Sequence, residues 1–189
     1  GLDGVTNVET VNITTTALGT TLTTKNTFGA AGSTITINHA AAGASALGVL
    51  TFNANAEKDA QFIFNTVASA TADIITGGEL DDTFNYESNT GTVTLNGGAG
   101  NDTLIVNQGA SNTVINLGDG NNKISIGEAL NNSNISTGNG NDTLIVGQAS
   151  DNNIISTGGG NDFVQLNHNV QGTKIDLGTG NDGIRLSNE

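Results

Sequence analysis

The chain has no cysteine, proline, methionine or tryptophan, and only five of its 189 residues are Lys or Arg. Each shortage removes a class of protein. Without cysteine there is no disulfide framework, no thiolate zinc site and no cysteine nucleophile. Five cations cannot replace the counterions of a phosphate backbone, so nucleic acid is not an expected partner, and an anionic membrane surface is no better a fit. No run approaches the roughly 18 apolar residues of a membrane-spanning helix, so membrane insertion is not expected. The sequence opens at Gly1 without an initiator Met, a basic n-region or an apolar h-region, which is expected of a segment of a longer polypeptide. Against the five cations stand 18 acids, a net charge of −13, with six Phe and one Tyr. Such acidity with few aromatics reads as disorder unless bound cations neutralise it.

Glycine, at 27 residues, is abundant, and its placement decides between those readings. Gly-x-Gly occurs at 98–100, 118–120, 138–140, 158–160 and 178–180. Asn101-Asp102, Asn121-Asn122, Asn141-Asp142, Asn161-Asp162 and Asn181-Asp182 follow directly. A degenerate copy, Gly77-Gly78-Glu79-Leu80-Asp81-Asp82, precedes them in the same 20-residue register. One Gly-x-Gly means little, but an unbroken series is the mark of a repeat architecture.

Two apolar columns accompany the turns. Phe84/Tyr86, Leu104/Val106, Ile124/Ile126, Leu144/Val146, Val164/Leu166 and Ile184/Leu186 alternate as a strand with one buried face does. Ile75, Leu95, Ile115, Ile135, Ile155 and Ile175 precede each glycine turn and supply a second strand. Positions recurring every 20 residues stack if each repeat is one solenoid turn, with coils about 4.8 Å apart in two parallel sheets. The expected fold is all-β, a right-handed parallel β-solenoid of about 20 residues per coil. The opposite turns, such as Gln108–Asn112 and His168–Gly172, lack the glycine grammar and are expected to be loose, so any cation should line one edge only.

Residues 1–74 form a Thr- and Ala-rich lead-in, read as irregular and solenoid-like, ahead of the regular repeat at 75–189. Strand-like runs fall at Val8–Ile13, Ile35–Ile37, Val49–Phe52 and Phe62–Phe64, and a composition boundary falls near Thr71–Thr76. His39 and His168 have no partner motif and are expected on the surface or in loops. Thr14–Thr16 and Thr20–Thr24 could offer a Thr surface to ice or glycan, though Thr-rich strands are ordinarily only strands. There is no nucleophile–base arrangement, and Gly-x-Gly here lacks the Lys of a phosphate loop, so no enzyme is expected.

Glycine allows left-handed backbone that turns carbonyls inward, Asn is expected to tolerate the same conformation, and the Asp supplies a hard carboxylate. Stacked turns would gather about six oxygens, which suits Ca²⁺ at about 2.3–2.6 Å better than Mg²⁺. Copies such as Gly97-Gly98-Ala99-Gly100-Asn101-Asp102-Thr103-Leu104-Ile105 and Gly158-Gly159-Gly160-Asn161-Asp162-Phe163-Val164 resemble the RTX (repeats-in-toxin) nonapeptide Gly-Gly-x-Gly-x-Asp-x-U-x. The resemblance covers residues 75–189 and implies a β-roll with calcium along one edge. It implies ligands at Gly98, Gly100 and Asp102, at Gly118, Gly120 and Asn122, and at Gly138, Gly140 and Asp142. It implies the same at Gly158, Gly160 and Asp162, at Gly178, Gly180 and Asp182, and at the imperfect Gly78/Asp82 copy, where Leu80 replaces the second glycine. At most about five ions would fit between these coils. The chain departs from the commonest pattern in having one motif per coil and Asn122 where Asp is expected.

Three roles compete. One is a structural module of a bacterial surface-layer or cell-surface protein, exported by type I secretion and folded by calcium outside the cell. Its partners would be other copies in a lattice, neighbouring domains of the same chain, or cell-surface polysaccharide. The second is an accessory module of a secreted protease, lipase or alginate epimerase. The third is an adhesin or ice-binding module, against which the irregular Ala99, Asp119, Asn139, Gly159 and Thr179 column counts.

Overall fold

The computed structural model describes residues 4–15, 19–41, 49–66, 72–87 and 92–187, so Thr16 and Thr71 lie outside the described residues. Among these there are three parallel sheets and no helix. The first sheet takes one strand per coil: Thr10–Thr15, Thr34–Ala41, Gln61–Thr66, Thr83–Tyr86, Thr103–Val106, Lys123–Ile126, Thr143–Val146, Phe163–Asn167 and Gly183–Ser187. The second runs through Thr20–Thr23, Leu50–Asn53, Ile74–Thr76, Thr94–Ala99, Val114–Asp119, Asn134–Ser136, Ile154–Ser156 and Lys174–Asp176. Each strand pairs in parallel with its counterpart one coil away, which makes the protein a β-solenoid.

Register explains the blurred repeat of the first 74 residues. Thr10 pairs with Thr36, Thr34 with Gln61 and Thr20 with Leu50, so the first coils are longer than 20 residues. From Ile63, paired with Thr83, and Ile74, paired with Thr94, the spacing settles at 20. The sheets themselves run unbroken through the change.

The two apolar columns meet inside the coil. Leu104, Val106, Ile124, Ile126, Leu144 and Val146 from the first sheet are buried against Leu95, Ile115 and Ile135 from the second. The first coils are filled by rings instead: Phe28, Phe52, Phe62, Phe64 and Phe84 are fully buried, and Phe64 stacks on Phe84 with centroids 5.1 Å apart. Such a pair adds about 0.5–1.5 kcal/mol beyond the area it buries. In the last described coil Ile184 and Leu186 keep the register of Val164 and Leu166 but are exposed, because no described coil covers them.

Two expectations need correction. The coil has three sides, not two. Ala110–Ser111, Leu130–Asn131, Ser150–Asp151 and Val170–Gln171 form a third, four-stranded parallel sheet at the turns expected to be loose. The chain leaves this sheet through left-handed residues, Asn112 (φ 55°), Asn132 (50°), Asn152 (55°) and Gly172 (64°), the types that bear that conformation most easily. His39 is also not at the surface. It is buried, with Nδ1 3.6 Å from Asp73 Oδ2, and burial lowers its pKa against the pull of that carboxylate. His168 is exposed, as expected.

Candidate metal centre

The glycines of the regular turns have the backbone their spacing implies. Gly98, Gly100, Gly118, Gly120, Gly138, Gly140, Gly158, Gly160, Gly178 and Gly180 all have positive φ, whereas Gly78 does not. Stacking is the tighter constraint: a Cβ on Gly120 (φ 138°) would fall 1.9 Å from the Gly100 carbonyl oxygen one coil below. Only glycine fits there.

The Asn before each Asp serves a different purpose from the one expected. Asn101, Asn121, Asn141, Asn161 and Asn181 are absent from the left-handed residues. Their side chains build an outer ladder. Asn121 N–H donates to Asn101 Oδ1 at 2.7 Å, Asn141 to Asn121 at 2.7 Å, Asn161 to Asn141 at 2.7 Å and Asn181 to Asn161 at 2.9 Å.

The sixth turn position points inward. Asp82, Asp102, Asn122, Asp142 and Asp162 are all buried. One oxygen of each accepts the N–H of its counterpart in the coil before. Asp82 N–H donates to Asp102 Oδ1 at 2.8 Å, Asp102 to Asn122 at 2.9 Å, Asn122 to Asp142 at 2.7 Å, Asp142 to Asp162 at 2.8 Å and Asp162 to Asp182 at 2.9 Å.

The second oxygen separates the turns into kinds. Asp102 Oδ2, Asp142 Oδ2 and Asp162 Oδ2 are buried without a hydrogen-bond partner. At Gly97 a Cβ would lie 2.1 Å from Asp102 Oδ2 and 2.5 Å from the Leu117 carbonyl oxygen, so two oxygens face the same small space. Asp82 differs, since its Oδ1 accepts Phe62 N–H and its Oδ2 accepts Gly78 N–H, both at 2.7 Å. Asn122 differs again: its Nδ2 donates to the carbonyls of Gly118 (2.9 Å), Gly120 (3.1 Å) and Thr137 (2.9 Å). Thr137 lies one coil on from Leu117 in the repeat, so an NH₂ group sits where the flanking turns place an unpartnered carboxylate oxygen. No described coil lies beyond Asp182 to lend the corresponding carbonyl.

Burial pushes the Asp102 carboxyl up to about 8, helped by the charges of Asp82 and Asp81 and opposed by the Asp82 N–H. Burial likewise pushes Asp82 up to about 7, and it raises Asp142 against the lowering pull of the nearby Thr137 hydroxyl and of the Asn122 backbone and side chain. The other edge of the solenoid shows what a self-sufficient ladder looks like. Its buried column is neutral, Thr113, Ser133 and Asn153: Thr113 N–H donates to Ser133 Oγ at 3.1 Å, and Asn153 Nδ2 donates to Leu130 O at 2.8 Å.

A buried oxygen without a partner costs about 1–3 kcal/mol, and more when charged. Three species can relieve it at Asp102, Asp142 and Asp162: a bound water, a proton, or a metal cation. The donor set is all oxygen, and among the described residues no three His, Asp or Glu side chains converge. Backbone carbonyls would therefore be the main ligands. Those of Leu117 and Thr137 carry no sequence signal of their own, since any residue has a carbonyl, and the sequence did not single them out. Glu57 was missed as well. It is fully buried in the first coils, and its Oε2 accepts the N–H groups of Phe28 and Gly29 at 3.1 Å each. Comparison with family models, with curated proteins and with solved structures finds no match.

Proposed function

We propose that this chain is a calcium-dependent structural module of RTX type, acting outside the cell as part of a bacterial surface-layer or related cell-surface protein. The observation that carries the reading is the set of buried, unpartnered oxygens Asp102 Oδ2, Asp142 Oδ2 and Asp162 Oδ2. Their places in the repeat match that of the Asn122 NH₂, which three carbonyls surround. The residues that would hold the ions are Gly98, Gly100, Leu117 and Asp102; Gly138, Gly140, Thr157 and Asp142; and Gly158, Gly160, Leu177 and Asp162. The glycines, Leu117, Thr157 and Leu177 would give carbonyls. Hard oxygen donors without nitrogen or sulfur suit Ca²⁺, which also tolerates the irregular geometry of a turn better than Mg²⁺ does. Bound Ca²⁺ supplies the positive charge that these buried oxygens and a net charge of −13 require. Ion binding then becomes folding free energy, so the chain stays open where calcium is scarce and closes where it is plentiful.

The surface-layer role rests on composition: five cations, no Cys or Met, and an abundance of Thr, Asn and Ala. Equilibrium dialysis with Ca²⁺ should find about three ions per chain, with a cooperative gain of β-sheet circular dichroism. An unchanged β-spectrum in chelator, with no ion retained in millimolar Ca²⁺, overturns the calcium reading. Electron microscopy of the parent protein in Ca²⁺ should show two-dimensional arrays. Bound ions without arrays would favour the accessory-module role.

A further inference from the structure

We infer that the Asn122 carboxamide is a built-in substitute for the cation, so that one turn in the middle of the array closes without an ion while its neighbours wait for theirs. The inference rests on the calcium reading of the flanking turns. Its own ground is the contact set of one side chain. Nδ2 lies 2.9, 3.1 and 2.9 Å from the carbonyl oxygens of Gly118, Gly120 and Thr137, two from its own turn and one from the next coil. Oδ1 meanwhile accepts Asp102 N–H at 2.9 Å. These partners fix the amide's orientation, because the flipped form would set an oxygen against three carbonyls and an NH₂ against an N–H.

An NH₂ group has two protons, which the three carbonyls share, and it presents partial positive charge where the carbonyls converge. A carboxylate at the same position cannot do this. Asp102, Asp142 and Asp162 each leave that oxygen unpartnered. Asn122 is thus not a weakened calcium ligand, because its own side chain takes the ion's place and removes the need for one. The consequence is spatial. The turn divides the cation-seeking positions into Asp102 on one side and Asp142 with Asp162 on the other. Its coil also carries the Leu117 carbonyl that faces Asp102 Oδ2, so one wall of the Asp102 pocket is set before any ion arrives.

Hydrogen exchange resolved by coil tests this on the intact chain. In chelator, amides of residues 118–122 should exchange at least about tenfold more slowly than those of 98–102, 138–142 and 158–162, the worth of one or two retained hydrogen bonds. Asn122→Asp should erase that protection in chelator, regain it in Ca²⁺, and bind one ion more than the unaltered chain. Asp142→Asn, the reverse exchange, should bind one ion fewer and protect 138–142 in chelator. This second variant keeps the test sound if Asn122→Asp does not fold without calcium. Equal exchange in all four turns in chelator, or an unchanged ion count in Asn122→Asp, overturns the inference. If the unaltered chain binds no Ca²⁺ at all, the calcium reading fails, and the exchange pattern in chelator, which needs no ion, still decides the role of Asn122.

Discussion

In the first coils Glu57 and Asp82 give their buried carboxylate oxygens to backbone N–H groups, those of Phe28, Gly29, Phe62 and Gly78. At Asp102, Asp142 and Asp162 the carboxylate gives one oxygen to the previous coil and leaves the other without a hydrogen-bond partner. The cores differ in parallel. Five fully buried phenylalanines run from Phe28 to Phe84, while from Leu95 onward the coils hold Leu, Ile and Val two deep. The rings thin out once the spacing has settled at 20, and the turn that satisfies Asp82 is the one in which Gly78 lacks positive φ and turns its N–H toward the acid, which the later turns do not. The first part satisfies its buried acids from within, whereas three buried carboxylate oxygens of the second have no partner in the protein.

Chelation should break this symmetry most strongly. In EDTA the exchange protection of 103–187 should collapse, apart from the turn at 118–122, while that of 34–66 persists. Uniform protection along the chain would show that the two parts do not differ in their need. Phe64→Ala should cost about 3–5 kcal/mol in urea unfolding of the first coils, with or without calcium, since it removes the ring that Phe52, Phe62 and Phe84 all contact. A cost that appears only in chelator would mean that the aromatic core is not the cation-independent part.

Acidity should distinguish the two regions next. In chelator the folded chain holds a proton on Asp102, pushed up to about 8 by burial, that the unfolded chain releases at the ordinary carboxylate value. That contribution is fully present below the unfolded value and is lost as pH rises through about 8. The regular coils, open in chelator at pH 9, should therefore gain structure and melt at a measurable temperature at pH 5, and in Ca²⁺, which needs the ionised carboxylate, the trend should reverse. A melting temperature that rises with pH in chelator would refute the burial argument. The smallest effect should come from Asn121→Ala, which removes one rung of the outer ladder and should cost about 1 kcal/mol in calcium-loaded protein.

Where identity recurs in the sequence, the fold was legible. The glycine turns and both apolar columns could be placed because each position repeats its chemistry every 20 residues. The third sheet escaped because two-residue strands are too short to alternate, although its Asn112, Asn132, Asn152, Gly172 column was a left-handed signal in plain view. The first coils could be read as strand-like runs but not put in phase, because their spacing changes from one to the next, and His39 escaped because nothing in its neighbours hints at the buried Asp73. At the site, the Asp column could be read but its inward direction and carbonyl partners could not. Asn122 looked like an Asp with one charge removed. Only the coordinates reveal that a changed atom type reverses the sign of what the side chain offers its surroundings.

The inner ladder also has a direction. Each sixth-position side chain grips the backbone of the coil before it, so every coil is latched by its successor, from Phe62, held by Asp82, to Asp162, held by Asp182. A latch of this kind is mechanically one-sided. Tension applied at the far end opens the last latch first and leaves the others closed, so the array should peel rather than shear. Each detached coil pays out about 65–70 Å of chain, the reach of 20 extended residues. A module built this way would yield under load in equal steps, and each step could be undone as the coil winds back onto the one that remains.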